Sequence, residues 1–173
     1  MRLLVFVTPK DFRDETVSIL KVFFNKWGVD YKIGSYSSND CVGYHGAVYK
    51  PEVNANKIST LDFDGIVLVD GKGIESYRIY EYRPLLDLVT KFNDTRKPVI
   101  ALGNATKILA RANIINGKRI SIPKDDEIRR LVILFHGIPS DEKVELADNL
   151  VTAGDTTELE EHMNRILSHL GVS

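Results

Sequence analysis

The stretch KPVIALGNATKILARANIINGK, positions 97–118, begins as a buried apolar strand, turns sharply and continues with helical spacing. A strand-to-helix elbow of this kind is where many α/β enzymes expose a nucleophile, because the tight turn lifts one side chain above the sheet. The turn here reads Leu102-Gly103-Asn104-Ala105 and carries no Ser, Cys or Asp. A non-glycine elbow residue holds strained dihedrals at a cost of about 1–3 kcal/mol, whereas Gly103 adopts them freely. The turn therefore offers polar rather than nucleophilic chemistry. Asn104 can cap the following helix, Thr106 adds a hydroxyl, and backbone N–H groups face the carboxyl edge of a sheet, where open α/β proteins hold anions or small polar ligands. The plainer reading is a tight turn at Gly103 and a helix cap at Asn104, with no ligand.

Other reactive side chains are sparse. Cys41 is the single cysteine, so no internal disulfide forms, and it lies at the entry to a glycine-punctuated segment, far along the chain from the elbow. Thiolate chemistry needs a lowered pKa near an acid or base, and an inert, partly buried Cys41 is the simpler expectation. His45, His136, His162 and His169 lack zinc-site spacing, with His162 and His169 expected on the solvent side of a helix, so no metal is expected. Ser121 and Ser140 have no G-x-S-x-G context. The first turn, TPKDFRDE, has no glycine, and DGKGIES lacks dinucleotide or P-loop spacing, so no cofactor is expected either.

The elements that must position these groups follow from apolar periodicity. LLVFV (3–7), GIVLV (65–69) and PVIAL (98–102) are continuous apolar runs, the pattern of strands buried on both faces of a parallel sheet. A helix is expected from about Glu15 to Trp27, with Val17, Leu20, Phe24 and Trp27 on one face and Gly28 as its stop. VDYKIGSY supplies a second strand, and a helix over 83–92 carries Pro84 in its first turn and Leu85, Leu88 and Phe92 on one side. The last helix is expected from a capping box of Thr157 and Glu160, with Leu159, Met163, Ile166, Leu167 and Leu170 as its stripe and Gly171 as its end. Positions 41–53 read as a hairpin, 143–154 as strand, turn and strand, and PKDDEIRR (123–130) as a solvated loop leading into a helix turn. This alternation predicts one α/β domain over 1–173 with a mostly parallel sheet. A hydrophobic content of 43%, 27% charged residues and a net charge of −1 are globular values that give no reason to expect nucleic acid or an anionic membrane. No apolar run approaches the ~20 residues of a membrane span, and the chain is expected to be cytoplasmic.

Five stretches in the same order resemble the PfpI-like family of the class I glutamine amidotransferase-like superfamily, which includes intracellular protease I and the Parkinson-linked deglycase-like proteins. They are LLVFVTPKDFRDETV, YHGAVYKPEV, FDGIVLVDGKGIESYR, KPVIALGNATKILARANIINGKR and NLVTAGDTTELEEHMNRIL, and together they span nearly the whole chain. The resemblance implies a flavodoxin-like three-layer sandwich with a doubly wound sheet, and a homodimer or an assembly of dimers. In the family the elbow carries cysteine, often followed by histidine; the matching positions here are Gly103 and Asn104. It also implies Glu15 as the retained acid of the first loop and Glu75 as an acid contributed across an interface that includes Tyr77. His45 matches a histidine-glycine pair of some protease-like members. Val69-Asp70 departs from the family's glycine-rich turn.

Three function classes stay open on these grounds. One is a catalytically degenerate member that binds a small anionic or polar ligand through Glu15, Gly71, Gly103, Asn104 and Ala105, or acts through assembly. Another is an enzyme of cysteine-independent mechanism with Glu15 as acid or base, whose carboxyl would titrate high in a dry pocket. The third is a purely structural oligomer subunit.

Overall fold

In the computed structural model, which describes residues 1–172, the chain folds as a three-layer sandwich around one seven-stranded sheet. The sheet strands are β1 (Arg2–Phe6), β2 (Asp30–Ser35), β5 (Val53–Asn54), β6 (Gly65–Leu68), β7 (Val99–Leu102), β10 (Glu145–Ala147) and β11 (Leu150–Ala153). Their spatial order is β10-β11-β7-β6-β1-β2-β5, and every pairing is parallel except β10 with β11.

The two faces are filled by alternate residues of the same strands, as the period of two requires. Leu4, Phe6, Ile66 and Leu68 point to one side, where they meet the short α2 (Gly73–Ser76), α3 (Arg83–Asp94), α4 (Thr106–Arg111) and α5 (Asp126–Leu134). Leu3, Val5, Val67 and Val69 point to the other, against α1 (Asp14–Trp27) and α6 (Met163–His169). Burial on both faces is why these strands read as unbroken apolar runs. The chain winds from β1 outward to β2, then returns to add β6, β7 and β11 on the opposite side of β1. The loops after β1, β6 and β7 consequently meet at the switch in strand order, the place where open α/β sheets take ligands.

Several local expectations hold. Gly28 stops α1 in the left-handed region at φ 68°, Pro84 sits in the first turn of α3, and β10 and β11 are joined at Asp148 and Asn149. Others need correction. The hairpin closes early, as β3 (Cys41–Val42) with β4 (Val48–Tyr49), and residues 53–54 join the main sheet beside β2. Positions 126–134 form a full helix capped by Asp125, whose carboxylate accepts from Ile128 N at 3.1 Å. Two short strands, β8 (Arg119–Ser121) and β9 (Ile138–Ser140), pair beside it. The capping box at Thr157 does not form, because the Thr157 hydroxyl and amide both donate to Asp155 at 2.7 and 3.0 Å. That local turn competes with helix initiation, so the segment makes a 3₁₀ turn at Leu159–Glu161 before α6 (Met163–His169). Among the described residues no helix is long and apolar enough to cross a membrane.

The β3–β4 hairpin is fixed to α1 (Asp14–Trp27) by one carboxylate. Asp14, 8% exposed, accepts from the amides of His45 and Ala47, each at 2.8 Å. Burial alone would raise its pKa, but these amide hydrogen bonds outweigh it and hold the group below its ordinary 3.8. A lowered folded pKa gives stability that is present above pH 3.8 and is lost as pH falls through the folded value. Asp14→Ala is expected to cost about 2–3 kcal/mol by orphaning two amides. Hydrogen exchange should locate the loss at residues 43–47, and the gap from the native chain should narrow below pH 3.8.

Candidate functional site

The elbow at the end of β7 (Val99–Leu102) has Gly103 in the left-handed region, φ 54°, opening a 3₁₀ turn that runs into α4 (Thr106–Arg111). The position that a side chain on Gly103 would enter is taken. A Cβ added to Gly103 would lie 2.6 Å from Asp70 Oδ2 and 2.7 Å from Asp70 Cβ. The carboxylate of Asp70, from the loop after β6 (Gly65–Leu68), therefore stands where a side chain on the elbow would begin.

Asp70 is 6% exposed and tightly held. The hydroxyls of Thr156 and Thr16 donate to its two oxygens at 2.7 and 2.8 Å. Arg13 closes the ring by donating to the Thr16 hydroxyl at 3.1 Å and to the Thr156 carbonyl at 3.2 Å. Burial pushes the Asp70 carboxyl up, and the two threonine hydroxyls and the Arg13 charge recover only part of that shift. Sequence reasoning missed this network. Its one visible signal was Asp70 itself, a carboxylate placed directly after a buried apolar strand where the resembled family has glycine.

Asn104 does not cap α4 (Thr106–Arg111). Its side-chain amide instead pairs with the Gly71 peptide, accepting from Gly71 N at 3.1 Å and donating to Gly71 O at 2.8 Å. The loop after β6 is thereby locked to the elbow. Gly71, at φ 141°, has no room for a Cβ, which would fall 2.4 Å from Asp11 O. The Thr106 hydroxyl donates back to Gly103 O at 3.0 Å. Ala105 is fully buried in the core rather than facing solvent. With only six helical residues, α4 sums few aligned peptide dipoles, so its start gives weak support to an anion.

Above the elbow lies an open cleft of about 550 Å³ whose floor includes Asp70, Gly71, Gly103 and Asn104. Lys72, Lys124 and Lys143 face Asp141, Glu142 and Asp155 around it. The Asp155 carboxyl is held at about 2 by the hydroxyl and amide of Thr157, with the Lys143 ammonium adding to the effect. Ser121, fully buried, braces one wall by donating to Glu142 O at 2.6 Å and accepting from Gly154 N at 2.9 Å. The mixed charges suit a small polar ligand carrying both donors and acceptors.

Glu15 lies outside this cleft. It lines a neighbouring one of about 400 Å³ with Arg13, Tyr44 and His45, and the two clefts share Gly71 and Lys72. Its side chain is 48% exposed rather than enclosed, with Oε1 3.5 Å from His45 Nε2 and Oε2 3.8 Å from Arg13 Nε. Arg13 is the first-loop residue that reaches the elbow network. Glu75 is engaged within its own chain, accepting from Lys107 Nζ and from the Tyr80 hydroxyl, both at 2.8 Å. Tyr77 packs edge-on against Tyr36 at 5.7 Å.

Cys41 is buried, and that burial pushes its thiol up, away from thiolate reactivity. His136 ends α5 (Asp126–Leu134) on the surface at φ 66°. His169 Nε2 lies 2.7 Å from Asp148 O. His162 was expected to face solvent, yet its Nε2 is buried without a hydrogen-bond partner among the described residues, beside Glu158 and Glu161 with donor atoms within 4.8 Å of one another. Lys143, 4.0 Å from Glu158, already supplies a cation there.

The sequence profile of the DJ-1/PfpI family matches residues 1–169. An uncharacterised protein of Methanocaldococcus jannaschii is 29% identical over 152 residues, covering 88% of this chain and 74% of that one. A deglycase of Pyrococcus horikoshii is 27% identical over 127 residues, 72% of this chain and 75% of its own. Among solved structures, a ThiJ/PfpI domain protein from Brachyspira murdochii superposes with a TM-score of 0.90 at 23% identity, over 98% of this chain and 96% of that one. DJ-1beta of Drosophila melanogaster gives 0.83 at 17% identity, over 99% and 91%. The sheet order, the elbow and the match along almost the full length agree: this chain belongs to the DJ-1/PfpI family.

Proposed function

We propose that this chain is a family member that works without elbow thiol chemistry, binding a small polar ligand in the cleft above Gly103. The observation that carries this reading is the Asp70 carboxylate, 2.6 Å from where an elbow Cβ would lie. With Gly103 and Asn104 at the positions of the resembled cysteine and histidine, a deglycase activity like that named for two relatives would have no nucleophile at the elbow. Cys41 does not replace it, being buried with its thiol pushed up. The cleft keeps the volume, rigid floor and convergent polar groups of a small-molecule site.

A second reading is favoured by one contact. Glu15 lies 3.5 Å from His45 Nε2, a carboxylate–imidazole pair able to move a proton in the adjoining cleft without sulfur. Glu15→Gln would then abolish turnover.

Binding is tested by a 1H–15N amide-shift titration of the labelled native chain with a panel of free amino acids and small hydroxy acids. The expected result is saturable binding with shifts clustered at Gly71, Gly103, Asn104 and Thr156. Turnover of a glycated substrate that disappears in Cys41→Ser would overturn the reading.

A further inference from the structure

The flank of α4 (Thr106–Arg111) opposite the core forms a second cleft, of about 350 Å³, with no lining residue in common with the elbow cleft. Four cations reach it from three elements: Arg78 from the turn before α3 (Arg83–Asp94), Lys107 and Arg111 from α4, and Arg130 from α5 (Asp126–Leu134). Their carboxylate partners are unevenly shared. Arg78 grips Glu81 with two hydrogen bonds of 3.0 and 2.8 Å. Lys107, its side chain 6% exposed, is taken up by Glu75 at 2.8 Å and Glu127 at 3.1 Å. Arg111 comes no closer to a carboxylate than 3.9 Å, at Glu81. Arg130 has no ion pair or side-chain hydrogen bond among the described residues, so two arginines that line the cleft have guanidinium donors to spare.

We infer that this cleft is a binding site for a small phosphate monoester carrying an apolar group. A phosphate dianion presents three acceptor oxygens and twice a carboxylate's charge, so it suits the forks of Arg111 and Arg130 together better than a single carboxylate does. The Arg78–Glu81 pair shows the grip an anion receives in this setting. Arg78 is also held at φ 47° and ψ 46°, left-handed backbone that an arginine rarely adopts, and such strain is concentrated at ligand clamps. Beside Arg130 on α5 the lining is apolar, with Leu131 and with Leu134, which is 68% exposed. Glu75, Glu81 and Glu127 around the rim work against a polyanion such as nucleic acid and admit one compact group.

The test is calorimetric titration of the full chain with phenyl phosphate, with inorganic phosphate, sulfate and benzoate as comparisons. One saturable site is expected for phenyl phosphate, with benzoate at least tenfold weaker. Affinity should rise between pH 5 and pH 7 as the second phosphate proton, with a pKa of about 6, is lost. Arg111→Gln and Arg130→Gln, both at exposed positions and checked for an unchanged melting temperature, should each weaken binding about tenfold. The inference is overturned if no saturable binding occurs, if sulfate binds equally as an adventitious ion only, if both variants bind as the native chain does, or if amide shifts centre on Gly71 and Gly103.

Discussion

Gly103→Cys is expected to destabilise the chain by about 2–5 kcal/mol, and Asp70→Gly is expected to cost less in that background than in the native chain. A side chain at φ 54° costs about 1–2 kcal/mol by itself, and forcing atoms into a filled site adds about 1–3 kcal/mol. The obstruction is specific, since the new Cβ meets Asp70 at 2.6 and 2.7 Å. Asp70→Gly alone is also expected to destabilise, because the hydroxyls of Thr16 and Thr156 lose their acceptor. The two losses should therefore not add. Urea midpoints for the four members of the cycle should give a favourable coupling of at least about 1 kcal/mol, within the range found for contacting residues. Additivity would mean that Asp70 swings aside freely and that the elbow is open to a side chain.

The second large effect concerns Lys107, one helical turn beyond the elbow. Its ammonium sits 4.2 Å above the Tyr80 ring, buried and neutralised by Glu75 and Glu127. Burial acts to lower its pKa, but the two carboxylates outweigh burial and hold it above 10.5. Removing both acids with Glu75→Gln and Glu127→Gln leaves an uncompensated buried charge, at about 3–5 kcal/mol. Lys107→Met removes the charge and leaves two glutamates whose side chains are 59% and 68% exposed, so less than about 1.5 kcal/mol is expected. The pH dependence separates the two cases. The native bracket contributes fully below pH 10.5 and is lost as pH rises through the folded pKa above it. In the double glutamine variant the folded pKa falls below the unfolded one, so stability should increase as pH rises toward 10.5. Thermal melts between pH 8 and pH 11 would show the opposite slopes.

The sheet was legible because burial on both faces leaves a mark that needs no distant partner: Leu3–Val7, Ile66–Val69 and Val99–Leu102 are apolar without a break. The site was less legible because its groups are chosen by orientation and by distant contacts. Glu15 and Thr16 are neighbours on α1 (Asp14–Trp27), yet successive helical residues point about 100° apart, and Thr16 is the one that faces Asp70. Asn104 looks like a cap in sequence, but its partner is Gly71, 33 residues away. The Asp70–Thr156 bond spans 86 residues, and nothing in the sequence around Thr156 points to its partner. Strands of three residues, such as Arg119–Ser121, are too short to establish an alternation, and the Asp155 turn diverts Thr157 from the cap its spacing implies.

The most direct test of the central claim is an assay of glycation-adduct removal by the native chain and by Cys41→Ser, with the Pyrococcus horikoshii deglycase as positive control. The account expects both forms of this chain to stay at the buffer rate while the control turns over, since the space at the elbow belongs to Asp70 and the one thiol is buried. Turnover by the native chain that vanishes in Cys41→Ser would contradict it.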